Sequence, residues 1–210
     1  MEDSKKIVAI KHLRLLTDSE RSHLSGTSND LREAEILASL AHPNIIRLIS
    51  SFNEGPQKTL IMECMDFSLE DVISDKRSLP EFLLSHIMYY LQHIAHGLTY
   101  LHKENVVHRD LKPNNVLLNL KGDVKIADFG CSKRYCHSDP RYTKQRGSRT
   151  YLPPEVLLCS SVVNETVDLW ALGCISAEFY RRKPLFGVEG ATVYKILILK
   201  LVCSMMLIVM

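Results

Sequence analysis

Residues 107–130 read VHRDLKPNNVLLNLKGDVKIADFG. Two aspartates, Asp110 and Asp128, bracket an asparagine, Asn115, and Lys112 follows the first aspartate by two positions. The apolar runs Val116-Leu117-Leu118 and Val124-Lys125-Ile126-Ala127 predict short buried strands joined by a turn at Lys121-Gly122-Asp123. Such a hairpin brings the loop before its first strand and the loop after its second to the same end. Asp110, Lys112, Asn115 and Asp128 then converge. Two oxygen ligands for a hard divalent cation, one free carboxylate and one cation are the set that phosphoryl transfer from a nucleotide requires.

The octapeptide His108-Arg109-Asp110-Leu111-Lys112-Pro113-Asn114-Asn115, followed by Asp128-Phe129-Gly130, resembles the catalytic loop and metal-binding loop of eukaryotic protein kinases. The resemblance implies an α+β, two-lobed fold and transfer of the γ-phosphate of ATP, with Mg²⁺, to a serine or threonine of a protein. It makes Asp110 the acceptor of the attacking hydroxyl's proton and Asn115 and Asp128 the Mg²⁺ ligands. Lys112 neutralises charge on the transferred group, and its spacing resembles that of serine/threonine rather than tyrosine kinases. His108 and Phe129 are expected to be packing residues.

Composition agrees with a globular protein. Of 210 residues, 46% are hydrophobic and 24% charged, enough apolar material for one or two lobes. A net charge of +2 gives no basic excess of the kind that nucleic-acid binding needs. Cys64, Cys131, Cys136, Cys159, Cys174 and Cys203 form no C-x-x-C pair, which suits free thiols in a reducing, intracellular compartment; nucleus or cytoplasm is what the kinase resemblance implies. His93 and His96 sit one helical turn apart, but without a third nearby ligand they read as a hydrogen-bonded helix face.

Ile7-Val8-Ala9-Ile10-Lys11 is β-branched and ends in a cation, predicting a central strand. It resembles the kinase V-A-I-K strand, whose lysine pairs with nucleotide phosphates. No G-x-G-x-x-G occurs in the chain, so the small lobe is expected to lack its first strands and phosphate-covering loop. Residues 17–29 read as a loop. Asp30 to Leu40 has a helical apolar period with Asp30 as N-cap. Glu33 matches the glutamate that holds the strand lysine, with Glu35 its near competitor. Leu31-Arg32-Glu33 before His42-Pro43-Asn44-Ile45-Ile46 resembles the cyclin-dependent kinase branch, where this helix receives a cyclin, so a cyclin or other activating subunit is implied.

Ile45 to Phe52 and Thr59 to Met65 predict two strands turning at Glu54-Gly55-Pro56. The second resembles the strand entering the interlobe hinge, which makes Met62 the gatekeeper and gives the backbone of Glu63 and Met65 to an adenine. Ala9 and Leu117 join that nucleotide site by the same resemblance. Ser68 replaces an aspartate near the ribose. Leu69 to Ile73 and Leu83 to Lys103 read as helices, the second burying Ile87, Leu91, Ile94, Leu98 and Leu101, with Tyr89, Tyr90 and Tyr100 completing its packing.

Cys131 to Glu155 resembles an activation segment; Glu155 stands twenty-seven residues after Asp128. Thr143 occupies the place of an activating phosphothreonine, and Arg32, Arg109 and Lys133 match the basic pocket that receives it. The loop from Asp139 to Thr143 resembles that of kinases that activate cyclin-dependent kinases. Gly147-Ser148-Arg149-Thr150-Tyr151-Leu152-Pro153-Pro154-Glu155 looks more like the G-T-P-x-Y-x-A-P-E of general serine/threonine kinases. Ser148 is expected to touch Asp110 and Lys112, and Gly147 to adopt positive φ. Val167 to Cys174 resembles the central large-lobe helix, with Asp168 anchoring the catalytic-loop backbone, and Pro184-Leu185-Phe186 ends that region.

The resemblance covers Ile7 to Phe186. It divides the chain into a nucleotide lobe over 1–65, a catalytic lobe over 66–189 that is expected to lack its last helices, and an apolar tail over 190–210. That tail, nearly all apolar from Ile196 to Met210, is short for a membrane span, so no membrane is expected. The competing expectation, from the missing glycine-rich loop, is a catalytically weak kinase remnant that acts as a binding module.

Overall fold

The structure is a computed structural model, and it describes residues 7–14, 29–55, 57–74, 84–135, 147–157 and 164–186. Strands β1 (Val8–Arg14), β2 (Leu48–Glu54) and β3 (Gln57–Glu63) form an antiparallel sheet in the order β1-β3-β2, with Ala9 opposite Met62 and Lys11 opposite Leu60. Gly55, at φ +57°, turns the chain between β2 and β3, a conformation that costs glycine little. Helix α1 (Asn29–Ala38) buries Ala34, Ile36 and Leu37, the apolar stripe of its sequence.

A second sheet joins β4 (Phe67–Ser68), β6 (Val116–Leu118) and β7 (Val124–Ile126) in the order β4-β6-β7. Its β6–β7 hairpin turns around Asn119, whose Oδ1 accepts the N–H groups of Lys121 and Asp123, with Gly122 at φ +91°. Helices α2 (Leu69–Ser74) and α3 (Leu84–Lys103) follow β4. Short strands β5 (Val106–Val107) and β8 (Lys133–Arg134) pair antiparallel. Helices α4 (Pro154–Leu157) and α5 (Thr166–Arg181) close the described part. One apolar cluster runs from Ile36 and Leu60 through Ile45, Ile94, Leu98, Val116, Ile126 and Phe129 to Ile175 and Phe179.

Several boundaries differ from the sequence expectation. β1 is longer and lies at the edge of the described sheet, where β3 is the middle strand. β2 begins at Leu48 because Ile45 and Ile46 bury themselves against the other sheet: Ile46 N–H donates to Ile126 O and Ile126 N–H to Asn44 O. β3 ends at Glu63, leaving Cys64 and Met65 outside it. α1 starts at Asn29, so Asp30 lies inside the helix instead of capping it.

Ser68 caps the helix that follows it. Its N–H and hydroxyl both donate to Asp71 Oδ2, at 2.8 and 2.6 Å, and its Oγ accepts the Asp71 N–H, a reciprocal cap on α2. On α3 the buried face is Ile87, Ile94, Gly97, Leu98 and Leu101, with Leu91 only half-buried. A Cβ on Gly97 would stand 2.9 Å from Ile126 Cδ1 and 3.1 Å from Asn44 O, so the glycine sets how closely α3 approaches that layer. Tyr90 stacks on Phe179 and Tyr100 on His42, whereas Tyr89 is exposed and its hydroxyl donates to Gly122 O. The 17–28 loop, Thr143, the Asp139 to Thr143 loop and the apolar tail lie outside the described residues.

Truncating Ile94, which is fully buried, to alanine should cost about 2–5 kcal/mol in urea denaturation. Met88→Ala on the exposed side of the same helix should stay within about 0.5 kcal/mol.

Candidate active site

The carboxylate of Asp168, on the first turn of α5, is buried. It accepts the backbone N–H groups of His108 (2.9 Å) and Arg109 (2.8 Å), and lies 2.9 Å from His102 Nε2. Arg109 has φ +68°, a conformation that costs a non-glycine residue about 1–2 kcal/mol; the Asp168 bonds hold it there. Its Nε also donates to Cys131 O at 2.6 Å. Beneath this turn the fully buried His108 places Nε2 3.0 Å from Ala127 O and packs edge-on against Phe129.

The loop so held presents one ion cluster. Lys112 Nζ donates to Asp110 Oδ2 (2.9 Å) and to Ser148 Oγ (2.8 Å), while Ser148 N–H donates to Asp110 Oδ1 (2.7 Å). Asn115 Nδ2 donates to Asp110 O at 2.8 Å and lies 3.3 Å from Asp110 Oδ2. In a second cluster Lys11 Nζ is 2.7 Å from both Glu33 Oε1 and Asp128 Oδ1. Glu33 is 2% exposed, whereas Glu35 is exposed, which settles which glutamate faces the lysine.

The two clusters are joined through the backbone. Ala127 N–H donates to Asn115 O at 2.8 Å, and Val116 pairs with Ile126. Asp128 has φ +60°, which swings its carboxylate out of the strand line. Gly130 passes beneath: a Cβ there would be 3.4 Å from both Asp128 Oδ1 and Glu33 Oε2.

The charges respond to these partners. Burial alone would lower the Lys11 pKa, but the hydrogen bonds and charges of Asp128 and Glu33 more than offset it and hold the pKa above its usual value. Burial would raise the Asp128 pKa, yet the Lys11 ammonium, His108 and the Gly130 N–H hold it below the ordinary carboxylate value.

Ala9 and Met62 face each other across β1 and β3. Leu117 lies opposite Ser68 and Lys125 in the second sheet. Glu63 N–H is taken by Arg47 O, so an adenine could use only the carbonyl of Glu63, with the N–H of Met65 beyond it. Arg32, Arg109 and Lys133 are all half-buried and stand on adjoining elements: Lys133 pairs with Val107, two residues before Arg109, and α1 packs on β8.

Some structural partners were not foreseen. Glu63 Oε1 accepts from Arg47 N–H (2.7 Å) and lies 3.0 Å from Lys125 Nζ. Tyr151 OH donates to Glu178 Oε2 at 2.8 Å inside the large lobe. Glu178 carried a signal, because it is a carboxylate within the apolar face of Cys174, Ile175 and Phe179. Burial raises the pKa of Glu178 despite the Tyr151 bond, raises that of Tyr151, and with Glu178 pushes the Cys174 thiol up to about 12. Gly147 has φ +106°, and a Cβ on it would lie 2.4 Å from Arg109 O. Leu152 is buried with Val107, Val156, Leu157 and Val167.

The protein kinase domain family matches residues 1–208. The chain belongs to the protein kinase family. The match extends beyond the Ile7 to Phe186 stretch on which the motifs lie. The chain is 38% identical over 184 residues to cyclin-dependent kinase 7 of Xenopus laevis, covering 87% of this chain and 51% of that relative. It is 37% identical over 174 residues to the mitogen-activated protein kinase homolog NTF3 of Nicotiana tabacum, covering 80% and 46%. This kinase chain thus spans about half the length of those curated relatives. Among solved structures it is similar to the yeast RNA Pol II CTD kinase CTDK-1 complex, with TM-score 0.77, 28% identity, and coverage of 90% of this chain and 59% of that one. No helix among the described residues is long and apolar enough to cross a membrane.

Gly147→Ala should lower stability by about 1–3 kcal/mol in urea melts, from positive φ and the clash with Arg109 O. Gly173→Ala, where nothing lies within 4 Å, should be neutral or stabilising by up to about 1 kcal/mol. Glu178 has a folded pKa above its ordinary 4.5, so the folded state binds more protons and wild-type stability falls as pH rises from 4.5 through the folded value. Glu178→Gln should remove that fall, which urea melts over a pH series will read.

Proposed function

We propose that this chain is a serine/threonine protein kinase of the cyclin-dependent-kinase-like type, transferring the γ-phosphate of ATP to a protein hydroxyl. The observation that carries the reading is the pair of ion clusters, Asp110–Lys112–Ser148 and Lys11–Glu33–Asp128, joined by the Asn115 O to Ala127 N–H bond. Lys11, held by Glu33, pairs with the α- and β-phosphates. The adenine lies between Ala9, Met62 and Leu117 and uses the backbone of Glu63 and Met65.

The donor set fits Mg²⁺. Asn115 turns its amide nitrogen to Asp110, so its Oδ1, which accepts no hydrogen bond among the described residues, faces the other way. Asp128 keeps a half-exposed carboxylate. Bound there, Mg²⁺ supplies positive charge to the phosphates. Asp110 orients the substrate hydroxyl and accepts its proton, and Lys112 balances charge on the transferred group. Ser148 holds both by its N–H and hydroxyl and marks where the substrate segment lies.

Phosphorylation of Thr143 would bring a charge near −2 to Arg32, Arg109 and Lys133, and an activating subunit of the cyclin class would act on α1. The nucleotide lobe is 1–65 and the catalytic lobe 66–189, with the cleft between them.

Isothermal calorimetry should register Mg-ATP binding to the 210-residue chain, and labelled phosphate should enter a generic protein substrate. Asp128→Asn should abolish both, and Asp110→Asn should leave binding intact while lowering transfer at least about 10³-fold. Nucleotide binding with no transfer by the wild-type chain would instead favour the binding-module reading, and absence of binding would overturn both.

A further inference from the structure

We propose that Arg134 is a positioning residue for the cleft: its guanidinium clasps the C-terminal ends of α1 and α3 and so holds Glu33 on Lys11. The inference rests on the phosphotransfer reading above.

Arg134 stands on β8, opposite Val106 of β5, just after the Phe129–Cys131 turn. Its Nη2 donates to Ser39 Oγ at 2.6 Å and its Nη1 to Glu104 O at 3.1 Å. Ser39 directly follows α1, and its hydroxyl passes the contact on to Ile36 O, a last-turn carbonyl, at 2.7 Å. Glu104 directly follows α3, whose C-terminal end is turned by Asn105 at φ +56°.

Helix C-termini each carry about half a negative charge on carbonyls that lack intrahelical partners. One planar, permanently charged fork reaches the carbonyl just past α3 directly and the end of α1 through the Ser39 hydroxyl, which an ammonium group cannot do with the same geometry. The last turn of α1 contains no basic residue, whereas that of α3 has His102 and Lys103. The cation at the end of α1 therefore comes from across the fold, from the strand that follows the metal-binding loop.

The position of α1 matters because Glu33 lies six residues before Ser39, about 9 Å along a stiff helix. The Lys11–Glu33 contact at 2.7 Å leaves no slack. Loss of the clasp frees the end of α1 to shift away from β8, and Glu33 moves with it. The effect belongs to charge positioning at the phosphates, and so to turnover more than to ATP affinity.

Steady-state kinetics should show Arg134→Ala lowering kcat about fivefold, with the KM for ATP changed less than twofold and the melting midpoint nearly unmoved. Arg134→Lys should restore part of the loss, since it returns the charge but not the fork. In a Glu33→Gln background, Arg134→Ala should cause no further loss, because the route through Glu33 is already broken. An equal fivefold loss in both backgrounds, or no loss in either, overturns the proposal. Amide hydrogen exchange gives an arm that does not depend on activity: residues 31–38 should exchange faster in Arg134→Ala, and unchanged exchange overturns the clasp. If the wild-type chain transfers no phosphate, the phosphotransfer reading fails while the exchange result still decides the clasp.

Discussion

A single buried carboxylate carries the geometry of the catalytic loop. Asp168 accepts two successive backbone N–H groups, those of His108 and Arg109, and so holds Arg109 in a left-handed conformation that it would otherwise leave. That turn sends Asp110 toward Lys112 and Ser148 while His108 goes inward onto Phe129. The carboxylate sits on α5, whose position follows from the burial of Val167, Ala171, Cys174, Ile175 and Phe179. Core packing in the large lobe is thereby converted into the placement of one acidic side chain some sixty residues earlier.

The two clusters are organised by charge balance. Each cluster sets one lysine between acceptors: Lys112 between Asp110 and Ser148, and Lys11 between Glu33 and Asp128. Such pairs contribute little to stability where solvent reaches them, and both Lys11 and Asp128 are partly exposed. In the proposed phosphotransfer their value would be preorganisation, with donors and acceptors fixed before the reacting state forms.

Contact between the two sheets runs through the segment after α1. The His42 to Arg47 segment belongs by chain order to the small lobe, yet Asn44 and Ile46 bond to β7 of the second sheet, and Lys125 Nζ reaches both Pro43 O and Glu63 Oε1. Glu63 ends β3, and Lys125 lies three residues before Asp128. The end of β3 and the segment leading to Asp128 are therefore held to each other by side chains as well as by the backbone.

Residue order alone was enough to place Asp110, Lys112, Asn115 and Asp128 at one end of a hairpin, because β6 and β7 are short, adjacent and joined by a tight turn whose period is local. It also placed α1 and α3, whose apolar stripes repeat at the helical period. It could not choose the ends of β2 and β3, since Ile45 and Ile46 are as apolar as any strand and only the partner sheet claims them. The anchoring place of Asp168 came from the kinase resemblance and not from local periodicity, and the hydroxyl that meets Glu178 belongs to Tyr151, 27 residues earlier in the chain. Hairpin and helix signals arise from neighbours in the chain, whereas the fate of a carboxylate is set by groups that approach it from tens of residues away.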